Sequence, residues 1–262
     1  TLGGIVAENG RDGSVKQCIT GNNWILTGGN PSAGIIGVNK SGNENSELVN
    51  QATVTKSGII GSQEVTSSNS WILEKCYNLG KVESKDGNAA GIVSNIRYYG
   101  ATIRNCRNYG EIDGVRATGI LIGEQTSVQL IGCVNLGTIT AKEQAAGITL
   151  NCGTSFVNCH NFGDIRADSV AGIANLKTQA YFTQCANFGK LSSDNTAYAI
   201  TNAQIGDTQC KYTMGQTSLT PLLTESTKIN YIITKEFESP KEAYEFYVDY
   251  IQQESMNAGG VS

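Results

Sequence analysis

Cys159-His160-Asn161-Phe162-Gly163-Asp164-Ile165 is one of five copies of a single motif, C-x-N-x-G-x-[IVL]. The other copies are residues 76–82, 106–112, 133–139 and 185–191. Their cysteines follow one another by 30, 27, 26 and 26 residues. A fixed period in this range is typical of stacked structural repeats. Although 262 residues could form two ordinary domains, the repeat predicts one elongated unit followed by a tail.

A second motif, Gly-Ile followed by a third residue that is usually apolar, runs in phase with the first. Its copies begin at Gly4, Gly34, Gly58, Gly91, Gly119, Gly147 and Gly172, with a degraded last copy at Tyr198. An apolar residue also stands three positions before most of the cysteines: Val15, Leu73, Ile103, Leu130, Phe156 and Phe182. One repeat thus has three strand-like segments, for example 147–151, 155–159 and 164–168, each bounded by Gly, Asn, Asp or Ser.

Three short strands cannot bury an apolar face alone, but stacked copies can. The predicted fold class is all-β: a right-handed parallel β-helix, or solenoid, of about eight coils over residues 1–213. Alternation within the motif puts Cys159, Asn161 and Gly163 on one side of the strand, and His160 and Asp164 on the other.

Stacking turns the inward positions into two structural ladders. They comprise Cys76, Cys106, Cys133, Cys159 and Cys185, and Asn78, Asn108, Asn135, Asn161 and Asn187. We expect each asparagine to pass an amide hydrogen bond to the next and to adopt the left-handed backbone of a corner. The glycine two residues later is predicted to make the bend. The alternative is a row of amides that binds a ligand.

Seven of the eight cysteines fall on one repeat position, and Cys152 does not. Where the period requires another cysteine, the chain has Leu48. Leucine can replace a thiol that serves as a small buried apolar group, so buried reduced thiols are favoured over disulfides or metal ligands. Zinc sites use closely spaced cysteine pairs. None occurs here, and we predict no metal and no cofactor.

Residues 214–262 are predicted to form a C-terminal capping segment. Ser239, Pro240 and Glu242 have the pattern of a helix start, which predicts a helix near 240–254. Its apolar residues recur at helical spacing: Ala243, Phe246, Tyr247, Tyr250 and Ile251. We expect this helix to cover the exposed last coil and protect an open sheet edge. The alternative is a helix that binds a partner.

Composition restricts the partners. The net charge of −4 gives no basic surface for nucleic acid. No apolar run approaches the ~18 residues that span a bilayer, so no membrane insertion is expected in this segment. The chain starts without Met and already within a repeat, so we expect a processed or excised segment of a longer protein. The sequence predicts no oligomeric state.

The candidates for chemistry are few. The one histidine, His160, is expected on the face opposite Cys159, which argues against a Cys-His dyad. Glu83, Glu111 and Asp113 form an outward acid cluster, suited to sharing a proton, binding a cation or acting as an acid/base pair on a sugar chain. Lys81 and Lys85 lie on the same face, so a solvated charged flank is the other interpretation. A second candidate set could stack on sugars or anchor a protein: Arg97, Tyr98, Tyr99, Arg107 and Tyr109.

The Gly34–Gly37 and Gly58–Gly61 segments, followed by C-x-N-x-G blocks, resemble the GLUG-type repeats of bacterial surface proteins. Such repeats accompany β-helical regions of immunoglobulin A1 protease-like proteins and of adhesin-like proteins of gut bacteria. The resemblance covers roughly residues 1–213. Ser94, Thr149 and Ala174 depart from it, which blurs the subfamily.

The resemblance implies an extracellular or cell-surface location and no catalytic residues. We therefore expect a non-catalytic scaffold or adhesin-like module that binds a host or cell-surface protein or a glycan. It could also be the accessory β-helix of an immunoglobulin A1 protease-like protein. The chain has no H-E-x-x-H motif, so the metalloprotease centre of such a protein would lie outside it. The alternative is a polysaccharide lyase or glycoside hydrolase that uses the acid cluster.

Overall fold

The chain is a parallel β-solenoid of about seven turns, as seen in a computed structural model. The structure describes residues 2–21, 23–27, 32–64, 71–96, 100–123, 127–176, 180–202 and 205–212, the last range as backbone only. Within these ranges every strand pair is parallel, and no helix occurs. The predicted capping segment 214–262, with its helix near 240–254, lies outside them.

The strands are short and recur four to a coil in most of the chain. In the first half they are β1 (Leu2–Gly3), β2 (Val6–Asn9), β3 (Ile25–Leu26), β4 (Ser32–Ala33), β5 (Ile36–Asn39), β6 (Asn45–Ser46), β7 (Val49–Asn50), β8 (Thr53–Val54), β9 (Ile60–Gln63), β10 (Trp71–Glu74), β11 (Tyr77–Asn78), β12 (Val82–Ala90), β13 (Ala101–Arg104) and β14 (Arg107–Asn108). In the second half they are β15 (Ile112–Thr118), β16 (Leu121–Ile122), β17 (Val128–Ile131), β18 (Val134–Asn135), β19 (Ile139–Ala146), β20 (Thr149–Leu150), β21 (Ser155–Val157), β22 (His160–Asn161), β23 (Ile165–Ala171), β24 (Ala174–Asn175), β25 (Ala180–Asn187), β26 (Leu191–Tyr198) and β27 (Ile205–Tyr212).

Two large sheets form most of the wall. One has seven strands in the order β26-β23-β19-β15-β12-β8-β3. The other has twelve strands in the order β6-β10-β13-β17-β21-β25-β22-β18-β14-β11-β7, with β27 paired to β25. Shorter sheets, β2-β5-β9 and β16-β20-β24, carry the Gly-Ile motif around the third side. The predicted all-β stacked fold is therefore confirmed.

The turn count is slightly lower than the eight coils predicted. The Gly-Ile motif has eight copies, from Gly4 to the degraded copy at Tyr198. Eight successive copies bound seven complete turns, because each turn runs from one copy to the next.

The bend within the twelve-stranded sheet is made by the residue before the cysteine, and this corrects the predicted role of the asparagines. A left-handed backbone recurs at Gln17, Glu47, Lys75, Asn105, Gly132, Asn158 and Gln184, with φ between 52° and 61°. The ladder asparagines have no such backbone, and each is the last residue of a strand. The predicted strand 155–159 therefore ends at Val157 as β21, and the chain resumes as β22 only at His160, after the bend at Asn158.

The glycine of the C-x-N-x-G motif is required for close stacking, not for a left-handed bend. A Cβ on Gly137 would lie 2.0 Å from the carbonyl oxygen of Gly110 in the preceding coil. The same distance is 2.0 Å from Gly163 to Gly137 and from Gly189 to Gly163. Any side chain at this position would push successive coils apart.

The solenoid interior is a set of stacked apolar columns. Leu48, Cys76, Cys106 and the later motif cysteines form one column, and all are fully buried. Another contains Leu73, Ile103, Leu130, Phe156 and Phe182, and the two phenylalanine rings stack with centroids 4.5 Å apart. These columns bury apolar area in every turn, which is the main stabilising term for such a fold.

Candidate functional site

The asparagine column is a continuous amide ladder. Asn50 Nδ2 donates to Asn78 Oδ1 at 2.7 Å, and Asn78 Nδ2 donates to Asn108 Oδ1 at 2.7 Å. The chain of bonds continues to Asn135, Asn161 and Asn187 at 2.7–2.8 Å. Each Nδ2 also donates to the carbonyl two residues later, and Thr20 Oγ1 donates to Asn50 Oδ1 at the first coil. Both amide hydrogens are used within the protein, so these side chains are not placed to bind a ligand.

The thiols of the cysteine column are buried and lie close to backbone carbonyl oxygens, an environment that does not favour reactivity. Cys133 Sγ lies 3.4 Å from the Ile103 carbonyl oxygen, and Cys159 Sγ lies 3.4 Å from that of Leu130. All seven cysteines whose side chains the structure describes are free thiols, and six are buried. Burial raises the pKa of Cys106 and Cys159 well above that of an ordinary thiol, and it raises the pKa of Cys152 to about 12. High pKa values suit packing groups and oppose nucleophilic catalysis.

A second amide ladder, which sequence reasoning missed, lies in the first three coils. Asn9 Nδ2 donates to Asn39 Oδ1 at 2.7 Å, and Asn39 Nδ2 donates to Gln63 Oε1 at 2.7 Å. All three side chains are buried and in register, and Ile96 replaces them in the next coil. The sequence feature that could have predicted this ladder is the common position of the three residues, five residues after the Gly of each Gly-Ile motif.

His160 faces away from Cys159, as alternation predicts, but it is buried rather than solvated. It lies in register with Val134 and Ala186, and 3% of its surface is exposed. Burial lowers the pKa of His160 to about 4. Cys159 is bonded to interior carbonyls, so the two side chains form no catalytic pair.

The predicted acid cluster lies on the outer face of the seven-stranded sheet. Glu83 and Asp113 are in register on β12 and β15, and Glu111 belongs to the adjacent outward column. Lys81 Nζ lies 3.7 Å from Glu83 Oε2 and 3.8 Å from Glu111 Oε2. One lysine therefore neutralises part of the cluster at the surface.

Of the predicted set of tyrosines and arginines, the structure describes only Arg107 and Tyr109. Arg107 lies over the ring of Tyr77, 5.3 Å from its centroid, and Tyr109 packs against Val134 and Leu136. Burial raises the pKa of Tyr77. Arg97, Tyr98 and Tyr99 lie outside the described residues. Arg107 and Tyr109 are thus half-buried parts of an outer wall.

The structure has a groove that the sequence reasoning did not predict, on the N-terminal flank of the seven-stranded sheet. Two neighbouring coils differ in length here. Val54 is in register with Val82, and Ser57 is in register with Ala90. Only two residues separate the first member of each pair, Val54 and Ser57, whereas seven separate Val82 and Ala90. Lys56 makes this shortcut with a left-handed backbone at φ 78°. The extra residues of β12 extend beyond the shorter coil, and the groove formed between them has a volume of about 520 Å³. The sequence feature that could have predicted the groove is the unequal spacing of Gly34, Gly58 and Gly91, which are 24 and 33 residues apart.

The groove combines an apolar edge with hydroxyl and charged groups. It is lined by Ile25, Thr27, Thr53, Val54, Thr55, Lys56, Glu83, Ser84, Lys85, Asp86 and Gly87. Ile25 is 72% exposed, and Trp24, the residue before it, is 46% exposed. Trp24 immediately precedes the edge strand β3, and its ring lies beside Gly21, where a Cβ would be 2.9 Å from the Trp24 Nε1 atom. We call these lining residues the N-terminal groove; Trp24 stands next to it in the chain.

The fold defines the chain as a parallel β-solenoid protein. Comparison with protein-family models, curated proteins and solved structures finds no match. Among the described residues, no helix is long and apolar enough to cross a membrane. In the same ranges, no three Cys, His, Asp or Glu side chains are grouped to hold a metal ion.

Proposed function

We propose that this protein is a non-catalytic, adhesin-like binding module of a bacterial surface protein, and that the N-terminal groove binds a carbohydrate chain. The observation that carries the proposal is that the exposed Ile25, preceded in the chain by the exposed Trp24, borders a groove lined by hydroxyl and charged side chains. The interior ladders satisfy themselves, so they leave the outer surface as the place where a ligand can bind.

The groove chemistry matches a saccharide. An exposed indole offers a flat apolar face for the C–H side of a sugar ring, together with an N–H donor. Thr53 and Thr55 offer hydroxyl groups, and Lys56, Lys85, Glu83 and Asp86 offer donors and acceptors of both charges. A groove that is open to solvent and lined by residues of three neighbouring coils suits a short stretch of chain better than a compact small molecule.

The extracellular location and the relation to adhesin-like or immunoglobulin A1 protease-like proteins belong to the same proposal. They rest on the GLUG-type resemblance of the repeats. In an immunoglobulin A1 protease-like protein this chain would be the accessory β-helix, with catalysis elsewhere.

The test is binding to a glycan array, followed by titration of the best glycan. We expect Trp24→Ala to weaken binding about tenfold, which corresponds to loss of about 1.4 kcal/mol. Tyr181→Ala is the matched control, because Tyr181 is also an exposed aromatic residue, at 59%, but lies on the twelve-stranded sheet. Absence of glycan binding, or equal effects of the two substitutions, would reject the carbohydrate proposal.

One observation favours a second candidate, a polysaccharide lyase or glycoside hydrolase. Glu83 borders the groove and is in register with Asp113, so two carboxylates stand in neighbouring coils. Lys81 opposes this role because it pairs with both Glu83 and Glu111. Release of oligosaccharides from a polysaccharide panel, abolished by Asp113→Asn but not by Asp164→Asn, would replace the non-catalytic proposal with this one.

A further inference from the structure

The charges of the N-terminal groove are unevenly distributed along β12. At the start of this strand, Lys81 Nζ lies 3.7 Å from Glu83 Oε2, so the carboxylate of Glu83, which lines the groove, is paired. Further along, Lys56 and Lys85 line the groove, and neither forms an ion pair with another described residue. Their ammonium groups are therefore available to a ligand.

Two later coils add cations beside the same part of β12. Arg116 Nε donates to Asn88 Oδ1 at 3.0 Å, and Lys142 Nζ donates to the Lys85 carbonyl oxygen at 3.4 Å. Strand β15 lies between β12 and β19 and has only Val115 where β12 has three residues, 85–87. Lys142 thus reaches across the short segment of β15 to the longer one of β12.

Four cations lie on or beside the groove, and we call them the basic rim: Lys56, Lys85, Arg116 and Lys142. Two acids, Asp86 and Glu143, lie in the same segments of β12 and β19. Four cations against two acids leave a local excess of two positive charges, although the chain as a whole has a net charge of −4. A concave site with an excess of one sign of charge concentrates ligands of the opposite sign.

We propose that the N-terminal groove binds an anionic glycan, whose carboxylate or sulfate groups pair with Lys56 and Lys85. This inference rests on the proposed carbohydrate function and adds the chemical class of the sugar. Lys56 belongs to the shorter coil and Lys85 to the longer one, so the two ammonium groups come from different sides of the groove. Arg116 and Lys142 strengthen the positive potential there without lining the groove.

The other lining groups favour a sugar over an inorganic anion. An ammonium group is a compact point charge, so lysine attracts a carboxylate or a sulfate without strict geometry. Thr53 and Thr55 also line the groove, and their hydroxyl groups provide directed hydrogen bonds for the ring hydroxyls of a sugar. The exposed Ile25 adds an apolar contact for the C–H side of the ring.

The test compares glycans that differ only in an acidic group. The pairs are sialyllactose with lactose, a galacturonate oligosaccharide with its methyl ester, and sulfated lactose with lactose; together they distinguish carboxylate from sulfate recognition. By isothermal titration calorimetry, we expect at least one acidic member to bind about tenfold more tightly than its partner in about 50 mM NaCl, and this advantage to shrink in about 500 mM NaCl, because salt screens exposed charges.

Variants locate the effect. Lys56→Gln combined with Lys85→Gln should remove most of the about tenfold advantage of the acidic glycan and leave binding of its neutral partner unchanged. Arg166→Gln combined with Lys190→Gln is the matched control, because it removes two exposed cations, one in β23 and one just before β26 of the same sheet. The control variant should bind like the unaltered protein.

The outcomes separate this inference from the carbohydrate function itself. Equal binding of the acidic and neutral members of every pair, or equal losses in the two double variants, would overturn the inference and leave the carbohydrate function standing. Competition by single-stranded DNA as strong as by the acidic glycan would also overturn it, because the basic rim would then be a general polyanion site. Absence of binding to any glycan would reject both.

Discussion

At the residue scale, the ladder asparagines solve the problem of a polar group in a dry interior. Asn135 accepts one bond from Asn108 and donates two, to Asn161 Oδ1 and to the Gly137 carbonyl, at 2.7–2.8 Å. A buried amide with all its partners costs little, whereas one that loses a partner costs about 1–3 kcal/mol. The ladder is therefore stabilising only while it is unbroken.

Asn135→Asp keeps the shape of the side chain but removes both of its donors. The carboxylate would face Asn161 Oδ1 and the Gly137 carbonyl, two acceptors, inside the solenoid. We expect the free energy of unfolding to fall by about 3 kcal/mol or more, as measured by urea denaturation at neutral pH.

The matched control is Asn88→Asp. Asn88 Oδ1 accepts a bond from Arg116 Nε at 3.0 Å on the surface, and a carboxylate can keep that bond. Equal stability of the two variants would contradict the ladder as an energetic feature.

Cysteine labelling tests the packing of the thiol column. With iodoacetamide at mildly alkaline pH, Cys18, which is half-buried, should react readily, whereas Cys76, Cys133 and Cys152 should be protected. Burial and the raised pKa of Cys152, about 12, both suppress its thiolate. Site-resolved mass spectrometry should find all of them labelled after denaturation without reductant. A labelled buried cysteine in the native state, or a disulfide among them, would refute the interpretation.

At the scale of the element, each coil is held to its neighbours by positions that tolerate no side chain. Gly137→Ala places a methyl carbon 2.0 Å from the Gly110 carbonyl oxygen and 2.7 Å from Asn108 Nδ2. Neither group can move without breaking the stack, so we expect a loss of about 3 kcal/mol or more in unfolding free energy.

The control for this substitution is Gly10→Ala. A Cβ at Gly10 meets nothing within 4 Å, so its unfolding free energy should change by less than about 1 kcal/mol. Both can be measured by thermal and urea unfolding. A Gly137→Ala variant as stable as Gly10→Ala would show that coils can shift to accept the methyl group.

The elements also show what sequence could and could not predict. Period and alternation were enough to place Cys159 and Asn161 inside and to predict the stacked all-β fold, because burial repeats in every coil. The bend was misplaced, since Gln17, Lys75 and Asn158 share a left-handed φ but no residue type that signals it. The groove was missed because it depends on the difference in length between two neighbouring coils, which no single motif contains.

At the scale of the whole molecule, a solenoid is stabilised coil by coil, because each turn contacts only the turns next to it. The first described coil is the least buried: Ile5, Ile19 and Trp24 are 41–58% exposed. The middle coils, by contrast, have fully buried columns. Stability is therefore expected to vary along the axis.

Hydrogen exchange should reveal this gradient. Peptides from residues 2–20 should exchange faster than peptides from residues 128–146, because local opening is easier where fewer apolar groups are buried. Exchange followed by mass spectrometry measures both in one experiment. Uniform protection along the axis would indicate a single cooperative unit instead.

The overhang of β12 has a consequence beyond the groove that it forms. Lys85, Asp86 and Gly87 lie between two aligned pairs, Ser84 with Gly114 and Asn88 with Arg116, and they add length without disturbing either. The residues whose register aligns neighbouring coils, such as Ser84 and Asn88, are thus separate from the residues between them, whose number differs from coil to coil. The solenoid therefore carries a built-in display site, where a foreign peptide inserted at Asp86 would project from one flank while the coils above and below kept their alignment.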